Sequence, residues 1–300
     1  MEAKTGPVTI TRRRRWGDRY DGRRLRTIDP FTQIAPYIMR TRSDAQVQFE
    51  DRIEIGRVQK WLRVQRDQGR ADMGFLHVLI AAIVRTLSQK PGLNRFVAGQ
   101  RIYARNEIQI SLALKKKMSE DSPETTIKIS FPPTDTILDV AKRINEALDA
   151  NKEASSSNDT DKTARLFMLV PGFMVRMLLW FVRATDFHGK LPRAIHRASP
   201  FHTSVFVTDL GSLGIQPIYH HIYDLGTTSL FVAFGGKDRV RELDREGRLV
   251  ERRYIGLKVV GDERICDGYY FASAVRYFFT LLKDPAQLEN PPALVVQDQE

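Results

Sequence analysis

Apolar and polar residues alternate along Ala45–Ile55 (AQVQFEDRIEI), the period of a strand with one buried face. The period then changes to that of a helix. Val58, Trp61, Leu62 and Val64 share the inner side of a predicted helix over Gly56–Gly69. Asp72–Gln89 predicts a second helix whose apolar surface nearly encircles it, so it should be central and buried; Pro91 and Gly92 close it. His77 inside it reads as a core imidazole satisfied by a neighbouring backbone group rather than as a ligand. Short strands follow at Arg101–Ala104, Glu107–Lys115 and Thr125–Phe131, the last ended by Pro132 and Pro133. Ile137, Val140, Ala141, Ile144 and Leu148 put a helix over Asp135–Asn151, with Asp135 as its cap. Glu153–Lys162 is polar loop. Strands return at Thr203–Val207, Leu230–Phe234 and Arg252–Val260, and a final helix runs Tyr269–Leu282. No repeat is visible. This order predicts one α/β domain with a mixed sheet.

Leu166–Val182 (LFMLVPGFMVRMLLWFV) is the most apolar stretch, interrupted by Pro171, Gly172 and Arg176, with Arg183 on the same face. It falls short of the roughly 20 apolar residues a spanning helix requires. Two alternatives stand level: an amphipathic insertion over 166–183 that lies on a membrane or in a partner groove, or burial within the protein's own assembly.

Composition narrows the class. With 42% apolar and 28% charged residues in 300, the chain is an ordinary soluble globular protein. The single cysteine, Cys266, excludes a disulfide framework and a multi-cysteine zinc site and fits a reducing, cytoplasmic compartment; no metal is expected. Met1–Arg15 is too charged for a secretory signal. Of the net charge of +11, Met1–Arg42 holds 11 Lys and Arg against 4 Asp and Glu, or +7. Residues 1–33 are therefore read as a basic arm, disordered over Met1–Arg15, and residues 289–300 as a tail. Such an arm suits an anionic membrane surface, where each basic residue contributes about 1 kcal/mol. Nucleic acid is disfavoured, since only Trp16 and Tyr20 offer stacking surface nearby.

Asp262–Gly268 (DERICDG), followed by a helix and LLKDPAQLE, resembles the DHRxxDG signature of the dihydrolipoyl acyltransferase catalytic domains of 2-oxo acid dehydrogenase complexes. Val205–Gly211 (VFVTDLG) is similar to that family's TFTISNLG segment, Gln216–Ile218 to the proline turn behind it, and Leu230–Gly236 to its AILGVG strand. Phe75–Asn94 and Val47–Ile55 resemble its long helix and first strand, so the likeness spans roughly residues 34–288. The resemblance implies a two-layer α/β sandwich of the chloramphenicol acetyltransferase-like type, with helices on one side of a mixed sheet. It implies a homotrimer whose active sites lie between subunits, and acyl transfer between coenzyme A and a small or lipid-like acceptor. It also implies a motif histidine as general base, an aspartate (Asp267 here) that holds the backbone by pairing with a basic residue, and a strand hydroxyl (Thr208 here) that stabilises the oxyanion.

The histidine is missing: Glu263 takes its place. An exposed glutamate ordinarily titrates near 4.3, about four units below a thiol, although burial raises carboxylates by several units. Three readings stay open: Glu263 as a replacement base, a base from elsewhere, or an inactive trimeric scaffold that docks on a membrane or partner. His220 and His221 are the nearest alternatives for the base, at most one of them facing a channel if the backbone is extended, with His202 a weaker third. His188 and His196 lie in basic loops and need no role. Arg264, Lys115 and Lys116 are candidates for coenzyme A phosphates by charge. Gly211–Gly214 lacks the helix and lysine of a phosphate-binding loop, and Cys266 reads as a packed apolar residue. With about 33 residues ahead of the fold, no lipoyl domain is expected on this chain, which suggests a free-standing relative.

Overall fold

The computed structural model describes residues 14–115, 124–154 and 170–300. Lys116, Leu166–Leu169 and most of the stretch expected to be disordered, residues 1–13, lie outside these.

Six strands build one mixed sheet: β2 (Gln46–Glu54), β5 (Ile108–Lys115), β6 (Glu124–Phe131), β7 (Val205–Asp209), β8 (Leu230–Leu243) and β9 (Leu249–Asp262). Their spatial order is β2-β9-β8-β7-β5-β6. β7 runs parallel to both β5 and β8, while the outer pairs are antiparallel. Because side chains alternate across a strand, β7 sends Val205 and Val207 to one face and Phe206 and Thr208 to the other. The first face carries the main core, packed under α2 (Gly56–Asp67), α3 (Phe75–Gln89), α4 (Ile137–Ala154) and the C-terminal helix over Gly268–Lys283. On the other face Phe206, Phe231 and Val260 pack against Ile222, Tyr219 and His220 of the irregular 214–229 segment, and at its β6 end Lys128 donates to the carbonyl of His196, in the short helix Arg193–Ala198, at 3.0 Å. The expected sandwich is present, helices on one side.

α3 is the centre: twelve of its fifteen residues, His77 to Ser88, are buried. His77 Nδ1 accepts from the Gly74 N–H at 2.9 Å, so its Nε2–H donates to Asn145 Oδ1 at 3.0 Å, and the imidazole acts as a helix cap. Two local expectations need correction. α4 is capped by Thr136, whose backbone N–H and hydroxyl both donate to Asp139, while Asp135 pairs with Arg143 at 2.8 Å. On α2, Gln65 rather than Val64 is buried, bonded to Arg70 and Glu289.

The sheet's last hairpin is longer than expected, because β8 continues through charged Lys237–Leu243 past a bulge between Phe234 and Lys237. Gly235 sits there, where a Cβ would fall 2.3 Å from Pro217 Cδ; only glycine lets the proline turn close on the strand.

The basic arm and the tail are both built into the domain. Arg23 and its neighbours form β1 (Gly22–Arg24), which joins β3 (Arg95–Ala98) and β4 (Arg101–Arg105) in a second, three-stranded sheet, and α1 (Pro30–Ile38) follows. At the other end Asp298 forks onto Arg95 at 2.7 and 2.6 Å, and the Glu300 carbonyl accepts from the Arg26 and Thr27 N–H groups. Residues 16–33 and 290–300 thus brace each other, which neither an arm nor a loose tail would do.

The apolar stretch after the polar loop forms α5 (Gly172–Phe187), starting where Pro171 breaks the run; α6 (Arg193–Ala198) follows, and the C-terminal helix is α7 (Gly268–Lys283). No described helix is long and apolar enough to cross a membrane.

Candidate functional site

The DERICDG segment is the bend between β9 and α7. Asp262 ends β9 opposite Gln46, and Glu263–Ile265 make one 3-10 turn. Asp262 and Arg264 are its keystone: Arg264 Nε and Nη2 fork onto the Asp262 carboxylate at 2.7 Å each, both side chains shut off from solvent. Arg264 Nη1 donates to the Met39 carbonyl at 2.9 Å, tying the turn to the end of α1. Asp267 accepts the Tyr270 N–H at 2.8 Å and caps α7.

Two expected roles change accordingly. Arg264 has its guanidinium engaged and buried, so it offers nothing to a coenzyme A phosphate. The aspartate that pairs with a basic residue is Asp262; Asp267 instead satisfies a helix end.

Glu263 projects from this turn into solvent, its N–H bonded to the Ala45 carbonyl at 2.8 Å and its carboxylate without a hydrogen-bond or ion-pair partner among the described residues. Thr208 lies on the face opposite the core helices, 8% exposed, and its hydroxyl also has no hydrogen bond to a described residue. The sheet register shows that one chain does not bring the two together. Thr208 is level with Ala233 on β8 and, through it, with Lys258 on β9. Glu263 is five residues further along, about 17 Å down the strand and about 10 Å across it.

The histidine pair divides as extended backbone requires. His220 turns inward and stacks on Phe231, ring centroids 4.5 Å apart at 17°, whereas His221 is exposed and meets Tyr223 edge-on. His220 therefore shares the face opposite the core helices with Thr208. Lys258, on the same rung as Thr208, reaches Glu50 at 3.3 Å and covers the Tyr219 ring at 4.4 Å. Lys115 ends β5, opposite Glu124. Burial pushes the Cys266 thiol up to about 12, so it stays protonated and is no nucleophile.

A cluster that the sequence did not reveal lies beside β4 and α5. Arg19 bonds Asp21 at 2.8 Å and Asp186 at 2.6 Å; His196 Nε2 stands 3.2 Å from Asp21, and His202 Nε2 stands 3.4 Å from Asp186, ion-pair distances without hydrogen-bond alignment. Arg105 completes it, its guanidinium 4.4 Å over the Phe96 ring and its Nη2 on the Thr227 carbonyl at 2.8 Å. Burial pushes Arg105 down to about 10 and Lys128 down to about 8, the latter helped by Arg105. His202 is lowered by burial despite Asp186. All of this welds the arm, α5 and α6 to the sheet. His196, expected in a basic loop, lies in the short helix α6 and is buried.

No protein-family model matches the chain, and no curated protein matches its sequence. Solved structures do match in shape. A probable dihydrolipoamide acetyltransferase from Listeria monocytogenes superposes with a TM-score of 0.54 at 14% identity, covering 92% of this chain and 99% of that one. The cubic core of a pyruvate dehydrogenase multienzyme complex gives 0.54 at 14%, covering 96% and 99%. The Azotobacter vinelandii dihydrolipoamide acetyltransferase, in whose catalytic mechanism a serine, a histidine and an asparagine have been investigated, gives 0.53 at 14%, covering 88% and 93%. The fold is that of the dihydrolipoamide acetyltransferase cores. At this identity the likeness is one of fold, and it extends nearly end to end. Within that fold, this chain carries the Thr208 hydroxyl on β7 and the exposed Glu263 carboxylate on the DERICDG bend.

Proposed function

We propose that the protein is an acyltransferase that works as a homotrimer, moving an acyl group from a coenzyme A thioester to a small or lipid-like acceptor. The observation that carries this reading is the placement of two oxygen groups without a partner among the described residues: the Thr208 hydroxyl on the face opposite the core helices and the Glu263 carboxylate about 17 Å further along the sheet. A neighbouring protomer set against that face would bring its own Glu263 to this Thr208. It would also take the carboxylate out of water, the condition a carboxylate base needs. The exposed face of α1, with Phe31, Ile34 and Tyr37 beside the Glu263 turn, supports a contact there.

In such a site the Glu263 carboxylate takes the proton from the acceptor hydroxyl or thiol as that atom attacks the thioester carbonyl. The carbonyl oxygen becomes an oxyanion and accepts a hydrogen bond from the Thr208 hydroxyl. Collapse breaks the C–S bond, and the departing coenzyme A sulfur receives the proton that Glu263 holds. His220, stacked on Phe231, lies on the same face and would border the acceptor side.

The test is acyl-CoA turnover by the purified chain together with its mass in solution. Glu263→Gln should lower kcat about a hundredfold or more, and Thr208→Ala by about 10²–10³, while Thr208→Ser keeps most of it. A monomer, or a trimer that leaves every acyl-CoA intact, would sink the catalytic reading.

A further inference from the structure

Helix α5 breaks the usual rule for a surface helix. Only Asp186 is fully buried, yet most of the other side chains are apolar. Phe173 and Trp180 are each 69% exposed, Met177 62%, and Phe181 and Leu178 50%. At about 150–250 Å² for a whole aromatic side chain, the three rings alone leave roughly 400 Å² of apolar surface in water. That is the size of patch that marks an interaction site.

Helical spacing orders the surface. Phe173, Met177, Trp180 and Phe181 fill one broad arc, and Arg176 and Arg183, seven residues apart, form a single stripe along its border. Val175 and Val182 turn toward the domain. From Pro171 to Ala198 the basic residues Arg176, Arg183, Lys190, Arg193 and Arg197 are all exposed, and the one acid, Asp186, is consumed inside by Arg19 and His202. The surface thus presents aromatic and aliphatic groups framed by cations, with no exposed carboxylate. A second copy, set α5 against α5, would meet that frame with its own cations, since the described part of the region holds no acid to answer them.

We propose that α5 is an interfacial anchor that lays the protein on an anionic phospholipid surface. The helix, about 24 Å long, is too short to span and lies flat, its apolar arc among the acyl chains near the headgroups. Arg176 and Arg183 extend their stems along that boundary and their guanidinium groups to lipid phosphates. The Arg19–Asp186 pair at the helix's C-terminal end fixes its angle to the domain. This surface is independent of the acyl-transfer site and stands or falls apart from it.

Co-sedimentation of the full chain with phosphatidylcholine vesicles, with and without phosphatidylglycerol, tests the anchor. Binding is expected only with phosphatidylglycerol, accompanied by a blue shift of tryptophan emission that Trp180→Phe removes while binding persists. Replacing Arg176 and Arg183 by Gln should weaken binding about thirtyfold, roughly fivefold for each arginine. Phe173→Glu with Trp180→Glu should abolish it with the helical spectrum unchanged. Equal binding to neutral vesicles, or none to either, overturns the proposal. So does a change in solution mass of the glutamate variants without vesicles, since that would make α5 a contact between protein chains.

Discussion

Asp262→Asn is expected to destabilise the protein by about 3–5 kcal/mol, enough to threaten folding in a domain whose total stability is about 5–15 kcal/mol. The reason is geometric. Asp262 and Arg264 are matched oxygen to nitrogen at 2.7 Å twice over, with 0% and 2% of their side chains exposed. An asparagine keeps one oxygen but turns an amide N–H₂ toward a guanidinium that has only donors. The remaining charge has no water to turn to. Replacing both partners, Asp262→Leu with Arg264→Met, should recover part of the loss, because it removes the stranded charge as well as the pair. Urea unfolding of the two variants decides the matter. A single substitution costing under about 1 kcal/mol, or a double variant worse than the single, would show that the pair does not hold the bend. The point bears on function, since Glu263 sits between the two partners and its direction depends on their fork.

How much of this was legible in advance depended on how local the cause was. The core helices and the central strands follow from periodicity, because α3 and β7 are surrounded by apolar partners and their sequences say so. The DERICDG bend was legible as a pattern, and its keystone pair lies only two residues apart. What stayed hidden was set by distance along the chain. Asp21 and Asp186 converge on Arg19 although 165 positions separate them. No spacing rule reports such a meeting, and a run of arginines near a terminus reads as solvated until its carboxylates are found. The same holds for Arg95 and Asp298, which turn an expected tail into a strap.

The candidate site was legible only in half. Thr208 and Glu263 could be named from their segments, and the alternation of His220 and His221 from strand geometry. The roles of Arg264 and Asp267 could not be separated, because two aspartates flank the same arginine at distances of two and three residues. α5 presented the converse difficulty. Its apolarity is plain in the sequence, but apolar residues predict burial, and whether a partner covers them is a property of the fold. The structure leaves them in the open.

The arginine at the centre of the buried cluster gives the second large effect. Arg19→Met is expected to lower stability by about 3–5 kcal/mol at neutral pH, since it leaves two carboxylates inside the protein without their main cation. Burial alone would raise Asp186; contacts from His202 and Arg19 outweigh it and hold its carboxyl at about 2. Burial would raise Asp21 too, and His196 and Arg19 together draw it well below the usual carboxylate range. Depressed carboxyls contribute stability above their unfolded value of 3.8 that is lost as pH falls toward 2. The deficit of the variant should therefore be full at neutral pH and shrink in acid. A second sign difference arises near pH 6. In the native protein His202 is lowered, so the unfolded chain binds more protons below 6.5 and stability rises with pH through that range. Without Arg19, the His202 imidazole, 3.4 Å from Asp186, becomes the group that can answer that carboxylate's charge. Its protonation is then favoured in the folded state, and stability falls as pH rises. Denaturant midpoints of both proteins at about pH 5 and about pH 8 should move in opposite directions. Parallel movement, or a deficit that does not change with pH, would mean that Arg19, Asp186 and His202 do not act as one ionic unit.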